Sequence, residues 1–201
     1  MQGRVVERER RDRLFREGEP GNVVYVIGSG RVRLVRPSAK DLTVAYRGPG
    51  DLAGERILFS PTHDVEGLVV DRVRAVAVDA QQLQRAMEHV PELATRFYRM
   101  ADARARELED RLSAFLTKTV EERVSEFLLE AAERHGVADA RGTLIRVKFT
   151  HLEIASYVGS TRETVTLVLG DLRRKGLIET DHRRVIVRDM TRLRSGIGAV
   201  A

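Results

Sequence analysis

The sequence contains no cysteine among its 201 residues. This absence excludes disulfides, thiolate zinc sites, cysteine-ligated iron–sulfur clusters and cysteine nucleophiles. There is also no apolar run of about 18 residues, and the charged start MQGRVVERERRDR lacks the apolar region of a signal peptide. We therefore expect a cytoplasmic protein with no membrane segment.

Catalytic and metal-binding patterns are missing as well. The five histidines are scattered, and neither G-x-S-x-G nor H-E-x-x-H occurs. The glycines of GSG at 28–30 fit a hairpin turn. We therefore predict that the chain is not an enzyme and holds no metal, and we keep an enzyme with a β-barrel active site as an alternative.

Basic charge is concentrated at the C-terminal end. Lys and Arg number 35 against 30 Asp and Glu, but residues 141–201 carry 12 basic and 6 acidic residues, so the first 140 residues sum to −1. A basic segment of this kind favours binding to a polyanion.

The first 90 residues are typical of an antiparallel β-domain. Short segments rich in Val, Ile and Leu alternate with turns rich in Gly and Pro, which indicates a sandwich or barrel. The segments that we predict as strands are 23–27, 31–35, 43–46 and 73–78.

Residues 91–117 predict one long helix, which begins at Pro91. Its apolar residues recur every three or four positions, and this narrow seam is typical of a helix that pairs with a second copy of itself. Packing of the seam on its own β-domain is the alternative. The predicted interface residues are Leu93, Phe97, Ala101, Ala105, Leu108, Leu112 and Phe115.

Residues 118–201 predict a winged helix-turn-helix domain. A helix at 120–133, a loop at 136–142 and a strand at 144–149 precede two short helices in THLEIASYVGSTRETVTLVLGDLRRKG, residues 150–176. Thr150 with Glu153 and Ser160 with Glu163 both fit the S/T-x-x-E capping box. Two segments at 177–179 and 185–187, on either side of a polar turn, predict a β-hairpin wing.

The two short helices have opposite polar and apolar faces. Gly159 supplies the tight turn between them. In the second helix the polar N-terminal end is the end that such helices present to base edges in the major groove. The residues that we expect to face inward are Leu152, Ile154, Ala155 and Val158, then Val165, Val168, Leu169 and Leu172.

The order of β-domain, long helix and winged helix-turn-helix resembles the family of the catabolite activator protein and the fumarate-nitrate reduction regulator (CRP/FNR). VVYVIGSGRVRLV and GPGDLAGE are similar to its cyclic-nucleotide-binding domain, VEERVSEFLL to the helix that leads into its DNA-binding domain, and VGSTRETVTLVLGDLRRKGLI to its recognition helix. The resemblance implies an α+β fold with an N-terminal antiparallel β-barrel of cyclic-nucleotide-binding type. It also implies a homodimeric activator that binds a palindromic promoter site and recruits RNA polymerase through residues 136–142.

The resemblance assigns base contacts to the start of the recognition helix. Arg162 would donate to guanine O6 and N7, and Glu163 would accept from cytosine N4 unless its carboxylate caps the helix at Ser160. Leu167 stands where the catabolite activator has a second base-contacting Arg, so one base pair of the half-site should differ. The candidate phosphate contacts are Ser160, Thr161, Thr164, Thr166, Arg173, Arg174, Lys175, Arg183 and Arg184.

The effector chemistry of the family is incomplete in this chain. Gly54 and Glu55 are present, but Val65 and Glu66 stand where cyclic-AMP binders of the family place an Arg and a Ser. A carboxylate repels an anionic phosphate, so we expect a vestigial pocket and regulation without cyclic AMP. A ligand-responsive regulator or a repressor of the same family is the alternative. Haem on His63 or His89 and a winged helix that binds a protein partner stay open as lesser alternatives.

Overall fold

The computed structural model describes residues 3–38, 41–181 and 184–195. The chain divides into two compact units, Met1–Arg106 and Glu107–Ala201, with the boundary inside one long helix. The predicted α+β class is confirmed, with the β-domain first and the helix-turn-helix domain second. Among the described residues, no helix is both long enough and apolar enough to cross a membrane.

The first unit is built on an antiparallel sheet. The sheet order is β1-β5-β2-β3, and β4 pairs with β2. This path does not close on itself among the described residues, so the expected closed barrel is an open sheet. The strands are β1 Gly3–Arg8, β2 Val23–Arg36, β3 Leu42–Arg47, β4 Leu52–Ala53 and β5 Glu66–Asp79.

Strand β2 is one long strand, so the predicted hairpin turn at Gly28–Gly30 is wrong. The pairing of β2 with β5 shifts register on both sides of Ser29, which marks a bulge where the strand bends and continues. At Gly30, φ is 78° and an added Cβ would lie 2.1 Å from the carbonyl oxygen of Arg72. Glycine is required there for close approach to β5 rather than for a turn.

Two apolar clusters stabilise the first unit. One lies on the face of the sheet that includes Ile27, Val32 and Val73. The other covers Val24 with helix α1, Ala80–His89, which the sequence did not predict. Asp79 caps α1 by accepting from the N–H of Gln82 at 2.9 Å.

Helix α2 spans Pro91–Thr117, and none of its 27 residues is buried. Leu93 and Phe97, at its start, pack against the cluster that contains α1. Further along, Tyr98, Leu108 and Leu112 are 71%, 48% and 59% exposed. A long helix in a folded protein normally buries one apolar stripe, so α2 leaves an apolar face without a cover among the described residues.

Among its described residues, the second unit combines the C-terminal part of α2 and four further helices with a four-stranded antiparallel sheet of order β6-β7-β9-β8. The predicted loop at 136–142 is wrong, because Gly136–Asp139 and Gly142–Ile145 pair as a hairpin. The strand predicted at 144–149 is also displaced, because β7 spans Gly142–Ile145. The elements are α3 Val120–His135, β6 Gly136–Asp139, β7 Gly142–Ile145, α4 His151–Val158, α5 Arg162–Arg174, β8 Ile178–Asp181, β9 Arg184–Val187 and α6 Met190–Ser195.

The predicted wing is present as β8 and β9, which pair from Ile178↔Val187 to Asp181↔Arg184. The core beneath it joins all four helices to the sheet. The largest fully buried side chains of this core include Leu128, Ile154 and Leu172, each about 1% exposed. Burial of these apolar faces packs α4 and α5 against each other and against α3.

Candidate nucleic-acid interface

Helix α4 begins at the predicted capping box. The Thr150 hydroxyl accepts from the N–H of Glu153 at 3.1 Å, and the Glu153 carboxylate accepts from the N–H of Thr150 at 2.7 Å. Gly159 ends the helix with φ 70°, the left-handed conformation that favours glycine. Ile154, Ala155 and Val158 face inward as expected, but Leu152 is wrong, because it is 62% exposed.

Helix α5 begins one residue later than the sequence predicted. Its N-cap is Thr161, whose hydroxyl accepts from the N–H of Thr164 at 3.2 Å. The predicted box of Ser160 with Glu163 is wrong. The reason is local: the N–H of Ser160 donates to the carbonyl of Ala155 at 3.0 Å, so Ser160 belongs to the turn that closes α4.

This shift leaves the side chains of Arg162 and Glu163 available. Both residues are exposed, and neither side chain has a hydrogen bond or an ion pair within the part of the chain that the structure describes. The opposite face of α5 is buried through Val165, Leu169 and Leu172. The helix therefore presents a guanidinium and a carboxylate, side by side, at its N-terminal end.

Leu167 lies on the same exposed side of α5 and is 70% exposed. Leucine is normally buried in a helix that packs on a core. Leu167 therefore places an apolar side chain on the exposed face of α5, next to the two charged side chains of Arg162 and Glu163.

The candidate phosphate contacts differ in how far they are already engaged. Thr161 and Thr164 share the cap of α5, and Thr166 donates to the carbonyl of Arg162 at 2.8 Å. Arg174 pairs with Asp171, and Lys175 with Glu121. Ser160 is partly exposed, Arg173 and Arg184 are exposed, and Arg183 lies outside the described residues.

Arg123 of α3 connects three helices inside the second unit, and sequence reasoning missed it. Its Nε donates to the carbonyl of Val158 at 2.9 Å, and its Nη1 to that of Lys118 at 2.7 Å. The guanidinium also lies 5.1 Å from the ring centre of Phe115. Because last-turn carbonyls lack partners within their own helix, one arginine satisfies the ends of α2 and α4 together.

A second arginine strengthens this junction. Arg111 of α2 donates to the carbonyl of Tyr157 at 3.0 Å and lies 4.1 Å above its ring. The Tyr157 hydroxyl in turn donates to Glu130 at 3.4 Å. Burial raises the pKa of both the Tyr157 phenol and the Glu130 carboxyl. The C-terminal half of α2 is therefore joined directly to the first helix of the helix-turn-helix.

Arg141 fixes the turn between β6 and β7. It donates to Asp139 at 2.9 Å and to Asp181 of the wing at 3.1 Å. These hydrogen bonds from Arg141 hold the pKa of Asp139 below its usual value. Asp139 and Arg141 are the two charged residues of the segment expected to contact RNA polymerase. They are thus paired with each other, and Arg141 is also paired with the wing.

The expected effector residues are engaged by arginines of the first unit. Glu55 pairs with Arg104 of α2, their side chains being 13% and 14% exposed, and Arg104 also donates to the carbonyl of Leu52 at 2.9 Å. Glu66 pairs with Arg13 at 2.9 Å. Val65 is buried, and Gly54 directly precedes the short 3-10 helix Glu55–Leu58.

The two histidines considered as haem ligands have other surroundings. The His63 ring is buried and stacks on Phe15 with ring centres 4.2 Å apart, and burial lowers its pKa. His89 lies at the end of α1, with Nδ1 2.7 Å from the carbonyl of Arg85. Within the described ranges, no group of three or more His, Asp or Glu side chains is arranged to hold a metal.

Two family models match this chain. The model described as "Cyclic nucleotide-binding domain" matches residues 5–90, and the one described as "Crp-like helix-turn-helix domain" matches residues 122–195. The first match covers the sheet and α1, and the second covers nearly all of the second unit after α2. The arrangement of the two modules is the one that the sequence motifs predicted.

The chain is also similar along most of its length to named transcriptional regulators and to a solved structure. The chain is 32% identical over 183 residues to the "CRP-like cAMP-activated global transcriptional regulator" of Mycobacterium tuberculosis, covering 90% of this chain and 82% of the relative. It is 31% identical to the "Transcriptional regulator LdrP" of Thermus thermophilus, covering 94% and 95%. The solved structure of FixK2 from Bradyrhizobium japonicum superposes with a TM-score of 0.88 at 25% identity over the whole of both chains.

Proposed function

The chain belongs to the CRP/FNR family of DNA-binding transcription regulators, which are not enzymes, and we propose that it acts in the cytoplasm as a homodimer on a palindromic promoter site. The observation that carries this proposal is the exposed N-terminal end of α5. Arg162 and Glu163 are held there in adjacent positions by the Thr161 cap, with no competing partner among the described residues.

The chemistry of the two side chains fits a G·C pair or two neighbouring ones. A guanidinium donates two parallel hydrogen bonds to guanine O6 and N7, and a carboxylate accepts from cytosine N4. Because Thr161 rather than Ser160 caps α5, the carboxylate of Glu163 is not consumed by the cap. Leu167 adds an apolar surface that suits a thymine methyl group.

Contacts with the DNA backbone would surround this pair. Arg173 and Arg184 are exposed cations with no ion pair in the described part of the chain, so they are the strongest candidates for phosphates. Arg174 and Lys175 would first have to exchange Asp171 and Glu121 for phosphates. Ser160, Thr161 and Thr164 would contribute hydroxyl contacts at the start of α5. The Thr166 hydroxyl already donates its hydrogen to the Arg162 carbonyl, so it would first have to exchange that partner for a phosphate.

Dimerisation is supported by the uncovered face of α2. Tyr98, Leu108 and Leu112 repeat with heptad-like spacing together with Ala101 and Ala105, as in a two-stranded coiled coil. Phe115, at the end of this stripe, is 55% exposed and also contacts Arg123. Leu93 and Phe97 pack in their own domain, so the proposed seam begins at Tyr98. Two-fold symmetry would place two recognition helices about one turn of DNA apart.

Regulation without cyclic AMP is supported by the ion pairs of the first unit. The Arg104 side chain joins α2 to the Glu55 carboxylate and to the Leu52 carbonyl, so the Glu55 carboxylate is already paired within the first unit. Val65 and Glu66 offer no cation for a cyclic phosphate, and Arg13 occupies the Glu66 carboxylate. Occupancy of the operator would therefore depend on the concentration of the protein itself.

One finding favours a ligand-responsive regulator as the second candidate. The relative from Mycobacterium tuberculosis is named as cAMP-activated and is 32% identical. Titration of the purified protein and its operator with cyclic AMP separates the two candidates. A large nucleotide-induced gain in DNA affinity would favour the second, and no change is expected from the first.

Activation through contact with RNA polymerase is assigned to the turn between β6 and β7. The turn between β6 and β7 is exposed at Ala138 and Ala140, while the Arg141 side chain donates to Asp139 in the turn and to Asp181 of the wing. Such a fixed turn is a suitable contact for a protein partner. Substitution of Ala138 and Ala140 by Asp should lower activated transcription in vitro and leave operator affinity unchanged.

The DNA-binding proposal is tested by competition between operator and random duplexes. Arg162→Ala should lower the preference for operator by about 5- to 150-fold for each half-site, since a bidentate base contact contributes roughly 1–3 kcal/mol of discrimination. Arg192→Ala, an exposed arginine on α6, is the matched control and should keep the preference. If Arg162→Ala keeps it too, base contact by Arg162 is refuted.

A further inference from the structure

A hydrogen-bonded chain connects the start of α4 to the exposed face of α5. His151 is the first residue of α4, and its Nδ1 lies 2.8 Å from the hydroxyl oxygen of Thr166. That hydroxyl donates to the carbonyl of Arg162 at 2.8 Å. Thr166 is exposed and His151 is partly exposed. The imidazole therefore lies beside the surface that carries the proposed base contacts.

The chain of hydrogen bonds fixes which ring nitrogen carries the hydrogen. A threonine hydroxyl has a single hydrogen, and here it is donated to the Arg162 carbonyl. The hydroxyl oxygen can then only accept from the ring, so Nδ1 is the protonated nitrogen of the neutral imidazole. Nε2 is left as a bare acceptor, which repels phosphate oxygens, whereas the imidazolium form donates from Nε2 and is attracted to them.

The surroundings of His151 favour an anionic ligand. The first turn of a helix carries partial positive charge and exposed N–H groups, and His151 lies in the first turn of α4. Glu153, in the same turn of α4, is bonded to Thr150. On α3, which packs against α4, Glu126 and Glu130 are bonded to Lys118 and Arg134. Charged groups on the adjoining segments also include Lys148 before α4, Arg111 near the end of α2, and Arg162 and Glu163 on α5.

We propose that His151 is a further DNA contact, which binds a backbone phosphate as the imidazolium, so that operator binding takes up protons. The inference rests on the proposed DNA-binding function and adds a dependence on pH to it. Thr166 acts as a positioning residue, because its hydroxyl directs Nε2 away from α5. The ligand is the phosphate of duplex DNA, and sequence preference should not depend on His151.

The direct test measures operator affinity at pH 6 and pH 8 at one salt concentration. Each proton taken up on binding raises the affinity by up to tenfold for each unit by which the pH is lowered. The operator affinity of the wild type should therefore be at least about tenfold higher at pH 6 than at pH 8. His151→Gln cannot titrate and should lose most of this dependence while matching the wild type at pH 8. His89→Gln, a histidine at the exposed end of α1, is the matched control and should behave as the wild type.

Two results would overturn the proposal while leaving DNA binding intact. One is the same pH dependence in the wild type and in His151→Gln. The other is nitrogen-15 NMR of the free protein that places the hydrogen of neutral His151 on Nε2. If the wild type binds no operator at either pH, the DNA-binding proposal and this inference both fail, whereas either of the two results above overturns this inference alone.

Discussion

Replacing Leu108 and Leu112 with alanine should dissociate the proposed dimer. The two side chains are 48% and 59% exposed in one chain, and complete burial of a leucine contributes roughly 1.5–3 kcal/mol. Covering the exposed fractions in both protomers would contribute about 3–6 kcal/mol, of which alanine would keep a minor part. The double variant should therefore weaken self-association by about 2–4 kcal/mol, which is a factor on the order of 30 to 1,000.

Sedimentation equilibrium over a range of concentrations measures this change, and far-UV circular dichroism checks that α2 remains helical. Alanine favours helix more than leucine does, so loss of α2 is not expected. Glu109→Ala, on an exposed polar position of the same helix, is the matched control. A wild type that is monomeric at micromolar concentration, or a double variant with unchanged association, would refute the argument from the uncovered face.

Three further predictions concern the cap, the junction and a buried histidine. Thr161→Ala should lower the free energy of unfolding by about 1 kcal/mol in urea, and Ser160→Ala by much less, because only Thr161 caps α5; equal losses would contradict the assigned cap. One extra base pair between the half-sites should weaken binding of the wild type in a gel-shift series. Arg123→Ala should reduce this loss of affinity, because the guanidinium fixes α2 to α4. An unchanged loss of affinity would contradict its positioning role. Burial lowers the pKa of His63 in the fold, so below about pH 6.5 the unfolded chain binds more protons. The free energy of unfolding should therefore decrease as the pH is lowered. Denaturation curves at pH 7.5 and pH 5 should show a smaller decrease for His63→Gln than for the wild type.

Local signals in the sequence predicted the elements that depend on neighbouring residues. The Thr150 box, the left-handed Gly159 and the wing are formed by contacts between residues close in the chain, and all three are confirmed. Ser160 failed for a reason of the same kind. Two capping patterns overlap at the turn. The N–H of Ser160 bonds to the end of α4, so Thr161 and not Ser160 caps α5.

Features that depend on distant residues were not predictable from one sequence. The glycines of β2 fit a hairpin turn equally well until strand β5 is seen to pass within contact distance of Gly30. Helical spacing predicted that Leu152 faces inward, but the core lies on another side of α4 and Leu152 is exposed. Arg123, Arg104 and His151 carry no periodic signal, because each acts through a partner far away in the sequence.

The family resemblance predicted the modules but not the state of the side chains in them. It placed Glu55 in an effector pocket, and only the structure shows that Arg104 pairs with it. It placed Asp139 and Arg141 in a loop, and the structure pairs them in a hairpin turn. Ion pairs of this kind depend on three-dimensional proximity, which the motif positions do not encode.

The most direct test of the central claim is selection of binding sites from random duplex DNA by the wild type and by Arg162→Ala. The wild type should enrich an imperfect palindrome whose half-sites share a G and a C at the positions contacted by Arg162 and Glu163. The variant should lose the preference for that G while the spacing of the half-sites is retained. Absence of an enriched palindrome, or an identical preference in the variant, would contradict recognition of DNA by the N-terminal end of α5.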